Sequence, residues 1–168
     1  ALTYLFIEKL KSLNCKVTFL DIPDVINRLE SGMEHHRNFS FKKGLFPDSY
    51  NSNYENDKFD RICIYSVLQC TDNPEKFIDE AVKMLNNSGK LLLGDIPNVN
   101  KKGRFLSSEF GKSFDAKYQG KDISEIEHFN SHIDYASKVQ NQNRNINDEL
   151  VTAIFRKYRY LGYNVYVS

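Results

Sequence analysis

Residues 58–98 constrain the fold most, because they hold two apolar stretches with one amphipathic helix pattern between them. The predicted strands are 59–66 and 90–95, and the predicted helix is 74–86. Two strands joined in this way form a parallel β-α-β unit. Polar residues follow each strand, and in open α/β sheets ligands bind beyond the carboxyl ends of the strands. The sequence therefore predicts a binding site at these two strand ends.

The wider pattern alternates strands with helices, which favours an α/β fold. We expect a doubly wound, mostly parallel sheet with helices on both faces, built as one domain over residues 1–168. Asn73 before the helix and Pro74 at its first position are typical of a helix start. The remaining predicted elements are helix 1–13, strand 15–20, helix 23–30, strand 39–43, helix 148–161 and strand 163–167.

Residues 99–145 have weak periodicity and mix Lys, Ser, Asn, Tyr and Phe. They follow the carboxyl end of a predicted strand, where insertions in α/β enzymes often cover the ligand. We therefore predict that this region is a lid that recognises the substrate.

The chain has no global charge bias, with 23 basic and 22 acidic side chains. This balance gives no reason to expect nucleic acid or a membrane as a partner, and it favours a small-molecule substrate. The chain has three cysteines and no leader-like or membrane-spanning apolar run, which predicts a cytoplasmic protein. The oligomeric state stays open.

Four segments together resemble the class I S-adenosylmethionine-dependent methyltransferases: CKVTFLDIPD, FDRICIYSVLQC, FIDEAVKMLNNSG and KLLLGDIPN. The resemblance implies a Rossmann-like fold and S-adenosyl-L-methionine as the cofactor. The family's first strand, with its glycine-rich loop, and its last strand have no counterpart in these residues. We therefore expect helix 1–13 to follow a strand and loop that lie outside this sequence.

The resemblance places the adenosine part of the cofactor beside two strand ends. Asp21 occupies the position of the family's acidic residue that binds the ribose hydroxyls, a task that suits a carboxylate. As an alternative, Asp21 caps the helix that begins near Pro23. Leu45 and Phe46 stand where the family often has an Asp, so the resemblance implies that adenine is held there by apolar contact or by backbone groups.

The resemblance places the methionine part of the cofactor at the end of strand 59–66, beside Ser66, Val67 and Gln69. Tyr65, just before them, is expected in the core. Asp21, Ser66 and Asp95 should then line one rim of the sheet.

Asp95 follows strand 90–95 at the position that lies next to the methyl acceptor in many methyltransferases. The alternative is a plain turn, since turns also favour Asp, Asn and Pro. Either His128 or His132 is a further candidate for a catalytic base, because histidine titrates near neutrality. On a helix the two imidazoles would share one face, but no third ligand accompanies them, so we predict no metal. A solvated helix face is the other interpretation.

The resemblance implies methyl transfer to an oxygen or nitrogen of a small polar acceptor, such as a sugar or another metabolite. One alternative is a non-catalytic member of the same fold, acting as a cofactor-binding or scaffold protein. The other is a nicotinamide-dependent Rossmann enzyme, although the Gly-x-Gly-x-x-Gly fingerprint of that class does not occur in these residues.

Overall fold

A computed structural model of the chain describes residues 2–33, 35–48, 57–139 and 146–167. The chain divides into two compact units, residues 1–58 and residues 59–168. The single domain over residues 1–168 stays a prediction, and each unit is described by itself.

The described elements include four strands and seven α-helices, and the last four of these helices all follow the fourth strand. The strands are β1 (Val17–Asp21), β2 (Phe39–Lys43), β3 (Phe59–Tyr65) and β4 (Leu85–Gly94). The helices are α1 (Leu2–Lys11), α2 (Pro23–Ser31), α3 (Pro74–Lys83), α4 (Val99–Leu106), α5 (Glu109–Gln119), α6 (His132–Val139) and α7 (Asp148–Tyr160). None of these described helices has both the length and the apolar character needed to cross a membrane.

The first unit contains a parallel pair of strands, β1 and β2, in register from Val17–Phe39 to Asp21–Lys43. The rings of Phe19 and Phe41 stack on this pair with their centroids 5.3 Å apart. Helix α2 contacts both strands. The carboxyl ends of β1 and β2 therefore lie at one edge, as the parallel prediction requires.

The second unit contains the predicted β-α-β arrangement, and the parallel pairing of β3 with β4 confirms it. Helix α3 connects the two strands and buries Phe77, Ile78 and Ala81. Its start agrees with the prediction, because the Asn73 side chain accepts a hydrogen bond from Lys76 N at 2.9 Å.

Strand β4 begins earlier than the sequence indicates. The register jumps from Phe59–Leu85 to Arg61–Lys90, which places extra residues on the β4 side. The predicted helix 74–86 therefore stops at Lys83, and the strand already begins at Leu85.

Residues 99–139 contain three α-helices, α4 to α6, although the periodicity of this region is weak. Helix α4 packs against α5 and α6. Small residues make part of these contacts, since Gly103, Gly111 and Ala116 are buried. An amphipathic pattern is hard to recognise where the buried face consists of such residues.

Helix α7 confirms the prediction for 148–161, with Asn147 accepting a hydrogen bond from Leu150 N at 2.9 Å. The next prediction is wrong, because residues 163–167 form neither helix nor strand. A strand needs a neighbour for its backbone groups, and no described strand pairs with this segment.

Candidate functional site

Asp21 is the last residue of β1. Its Oδ1 accepts a hydrogen bond from Ile22 N at 2.7 Å, and no described residue bonds its Oδ2. The N-cap of α2 is Ile22, so Asp21 is not the cap that the alternative interpretation required. One carboxylate oxygen is therefore available to a ligand at this strand end.

A hollow of about 410 Å³ opens next to Asp21 in the first unit. Its size lies within the range of small-molecule sites, and its walls are mainly apolar. The residues that line it are Phe19, Leu20, Asp21, Val25, Ile26, Arg28 and Leu29.

Leu45 and Phe46 follow β2 at the edge where β1 ends, because Asp21 pairs with Lys43 and its carbonyl accepts from Gly44 N at 3.0 Å. The Leu45 side chain is 64% exposed, so it is open to contact with a ligand. The structure thus brings the three predicted adenosine-binding residues to one edge of the first unit.

Ser66 and Asp95 meet in the second unit. Each follows directly on its strand, β3 or β4, and the Ser66 hydroxyl donates to Asp95 Oδ2 at 2.5 Å. The backbones are also joined, since Ser66 N donates to Gly94 O at 3.0 Å. Both side chains are exposed, which leaves them accessible to a ligand.

The same two residues have left-handed backbone conformations, with φ 58° at Ser66 and 50° at Asp95. Only glycine adopts this region without steric cost, although Asp tolerates it better than most residues. Strained backbone of this kind concentrates at functional sites, where neighbouring contacts hold it in place. Here the contact is the hydrogen bond between the two side chains.

Gln69 lies in a short 3₁₀ turn, Leu68–Cys70, directly after this pair. Its Nε2 donates to Ser66 O at 2.9 Å, whereas its Oε1 is buried and has no partner among the described residues. A buried acceptor without a donor costs free energy, so a ligand N–H at this point would stabilise the site. Val67, at the start of the turn, is 36% exposed.

Tyr65 corrects one expectation, because its side chain is 50% exposed and not in the core. It is paired with Gly94, and a Cβ on Gly94 would lie only 2.5 Å from the Tyr65 ring. The glycine thus makes room for the ring. Tyr65 directly precedes Ser66, and its partner Gly94 directly precedes Asp95, so a half-exposed aromatic side chain lies next to this pair. A buried-strand pattern hides this feature.

The two histidines do not share a helix face. Helix α6 begins at His132, and His128 is exposed in the preceding loop. The backbone of His132 lies against Gly103 of α4. No described contact joins either histidine to Asp95. Within the described residues, no group of three His, Cys, Asp or Glu side chains could hold a metal ion.

Comparison with known families decides what kind of protein this is. Residues 3–93, more than half of the chain, match the family model described as "Methyltransferase domain". The chain belongs to this methyltransferase family. The resemblance to class I S-adenosylmethionine-dependent methyltransferases is thereby confirmed, and with it the Rossmann-like α/β class of the fold.

The chain is also similar to the uncharacterized protein MJ1123 of Methanocaldococcus jannaschii. The two are 32% identical over 60 residues, which is 36% of this chain and 29% of that relative. The match therefore spans less than a third of the relative's length.

The boundary of the family match separates the two groups of predicted site residues. All residues assigned to the cofactor lie within residues 3–93, whereas Asp95, His128 and His132 lie beyond it. Asp21 belongs to the first unit, and Ser66 and Asp95 to the second, so their common rim stays a prediction.

Sequence reasoning missed a polar network around Asp148, which joins the starts of α4 and α7. Asp148 accepts from Asn98 Nδ2 at 2.8 Å and from Arg104 at 2.6 Å, and its own N–H donates to Asn100 Oδ1 at 3.0 Å. Hydrogen bonds from Arg104 and Asn98 lower the pKa of Asp148 below its usual value. The Asn98 and Asn147 caps were the sequence signals that could have indicated two meeting helix starts.

Proposed function

We propose that the protein transfers a methyl group from S-adenosyl-L-methionine to an oxygen or nitrogen of a small polar acceptor, such as a sugar or another metabolite. The observation that carries the proposal is the open Asp21 carboxylate at the end of a parallel strand inside the family match. A carboxylate in this place can accept hydrogen bonds from ribose hydroxyls.

The donors and acceptors of the second unit fit the methionine part of this cofactor. Gln69 Oε1 is buried and lacks a donor, and the cofactor's amino group would supply one. Ser66 and Val67, which precede it, would contact the same part. Leu45 and Phe46 offer apolar contact to adenine in the first unit.

The bound cofactor supplies an activated methyl group, so the protein's task is to align the acceptor and receive its proton. Asp95 is our candidate for that role, because it is exposed and Ser66 holds only its Oδ2. Its Oδ1 can then accept a hydrogen bond from an acceptor O–H or N–H. His128 and His132 are the other candidates for the base.

Isothermal titration of the full-length protein with S-adenosylhomocysteine and with NAD tests the proposal. We expect heat with S-adenosylhomocysteine alone. If neither ligand gives a heat of binding, the non-catalytic scaffold is favoured. A heat of binding with NAD would favour the nicotinamide-dependent enzyme.

Asp21→Asn sharpens the test. Hydrogen bonds to a charged group contribute about 1.5–3 kcal/mol, so we expect affinity for S-adenosylhomocysteine to fall about tenfold or more. Asp24→Asn is the matched control, because Asp24 is also exposed and lies in the first turn of α2. If both variants lose the same affinity for S-adenosylhomocysteine, Asp21 does not bind the ribose hydroxyls.

A further inference from the structure

Four aromatic side chains on α4 and α5 form a continuous exposed row, which we name the aromatic ridge. Adjacent ring centroids are 5.6–6.5 Å apart. The members, with their exposed fractions, are Phe105 (37%), Phe110 (72%), Phe114 (52%) and Tyr118 (82%). Three of them recur every four residues and so lie on one face of α5.

The opposite side of these helices is already packed, so the ridge is their outer face. Gly111 and Ala116 of α5 are buried. A Cβ on Gly111 would lie 1.8 Å from the carbonyl oxygen of Phe105, so only glycine permits this close corner between α4 and α5. The corner holds the Phe105 ring against the rings of α5.

The ridge lies in the most basic part of the chain. Residues 99–121 contain six basic and two acidic side chains, a net charge of +4, whereas the whole chain has +1. Arg104 pairs with Asp148, and Lys112 pairs with Glu109. Four lysines have no ion-pair partner in the described part of the chain, and we name them the lysine border: Lys101, Lys102, Lys117 and Lys121.

The lysine border flanks the ridge. Lys101 precedes Phe105 by four residues, so it lies near the same face of α4. The ammonium group of Lys102 lies over the Tyr135 ring of α6, 6.0 Å from its centroid. Lys117 follows Phe114 by three residues on α5. Aromatic rings beside unpaired lysines are typical of helices that lie at a membrane interface, where the rings enter the headgroup boundary and the cations face anionic lipids.

We propose that the aromatic ridge and the lysine border dock the protein on a membrane surface that contains anionic phospholipid. A second copy of the chain fits this surface less well, because two faces of charge +4 repel. Single-stranded nucleic acid also fits less well. The rings of Phe114 and Tyr118 are nearly parallel, 8° apart, and their centroids are 6.4 Å apart, which is too close for a base to insert between them. The proposal does not depend on methyl transfer.

Co-sedimentation of the full-length protein with vesicles tests the proposal. We expect binding to phosphatidylcholine mixed with phosphatidylglycerol, little binding to phosphatidylcholine alone, and loss of binding at high salt. Phe110→Ser combined with Phe114→Ser should abolish binding. Tyr160→Ser is the control, because Tyr160 is 92% exposed on α7, away from the ridge. Equal binding by wild type and the ridge variant would overturn the proposal.

The contribution of charge is tested with the double variant Lys117→Gln and Lys121→Gln, which removes two charges of the lysine border. Each lysine near an anionic surface contributes about a fivefold change in partitioning, so the pair should weaken binding about 25-fold. Because these 168 residues contain no tryptophan, Phe114→Trp gives them one tryptophan, whose emission should shift to the blue on anionic vesicles. An unshifted emission would contradict insertion of the ridge, even if the serine variant failed to fold.

Two further measurements separate the other occupants. A gel shift with a single-stranded oligonucleotide that is lost in the ridge variant would assign the surface to nucleic acid. A concentration-dependent dimer in sedimentation velocity that the same variant abolishes would assign it to a second copy. Either result, without binding to anionic vesicles, overturns membrane docking.

Discussion

The end of β1 and the ends of β3 and β4 hold their polar side chains in different ways. Asp21 belongs to a regular strand and keeps one carboxylate oxygen open. Ser66 and Asp95 have left-handed backbones and bond each other. Each such conformation costs about 1–3 kcal/mol, so the surrounding contacts must hold it. The ends of β3 and β4 are therefore preformed by their own contacts, whereas the β1 end leaves one carboxylate oxygen without a bond from the described residues.

Gly94→Ala should give the largest loss of stability at the preformed end. The new Cβ would meet the Tyr65 ring at 2.5 Å, and overpacking of this kind costs about 1–3 kcal/mol. Urea unfolding measures the free energy of unfolding. When Tyr65→Ala is also present, Gly94→Ala should lower the free energy of unfolding by less. If the losses of the two single variants simply add in the double variant, the ring does not cause the clash.

Replacing Asp95 and Asp21 by alanine, one at a time, tests the difference between the two strand-end regions. Asp95→Ala removes the acceptor of the Ser66 hydrogen bond while keeping the strained backbone, so we expect a loss of about 2 kcal/mol. Asp21→Ala should cost less than about 1 kcal/mol, because it removes one hydrogen bond at an exposed position. If both variants lose the same free energy of unfolding in urea, the two strand-end regions do not differ in the way described.

Ser66→Gly and Ser66→Ala separate strain from hydrogen bonding. Both variants lack the hydroxyl, but glycine adopts φ 58° freely and alanine does not. We expect the glycine variant to be more stable than the alanine variant by about 1 kcal/mol. Should alanine prove equal or better, Ser66 would not be strained in solution.

The smallest expected effect is a loss of stability at acidic pH. The pKa of Asp148 is lowered in the folded protein by its hydrogen bonds from Arg104 and Asn98. Its stabilising effect is therefore present above the unfolded value, near 3.8, and is lost as the pH falls through the lower folded value. Because the Asp148 side chain is 47% exposed, we expect less than about 1 kcal/mol.

Melting temperatures between neutral pH and pH 3 should decline less steeply in Asp148→Asn than in wild type. Asp115→Asn provides a control, since Asp115 bonds only Gln119 of the same helix in the described structure. An identical acid profile for wild type and Asp148→Asn would exclude this contribution.

The sequence predicted those elements whose signals are local and strong. Asn73 and Asn147 cap α3 and α7 as expected, because an Asn before an amphipathic run satisfies free N–H groups at a helix start. The strand expected at 163–167 failed, since an apolar run alone does not supply a pairing partner. The exposure of Tyr65 escaped notice because it depends on Gly94 of the neighbouring strand.

The candidate site was predictable only in part. Asp21, Ser66 and Asp95 were predicted because ligands in open α/β sheets bind beyond the carboxyl ends of the strands. The left-handed backbones at Ser66 and Asp95 follow from no local pattern, since neither residue is glycine. His128 and His132 show the limit of spacing arguments. Four residues of separation place side chains on one face only within a helix, and α6 starts at the second histidine.

The region between β4 and α7 leaves and returns at almost the same point. Asn98 and Ile146 form a backbone bridge, and Val99 N donates to Ile146 O at 2.9 Å. A segment whose two ends already touch can be exchanged for another of different length without separating the elements that flank it. The length of this region can therefore change while the β-α-β unit that precedes it stays the same.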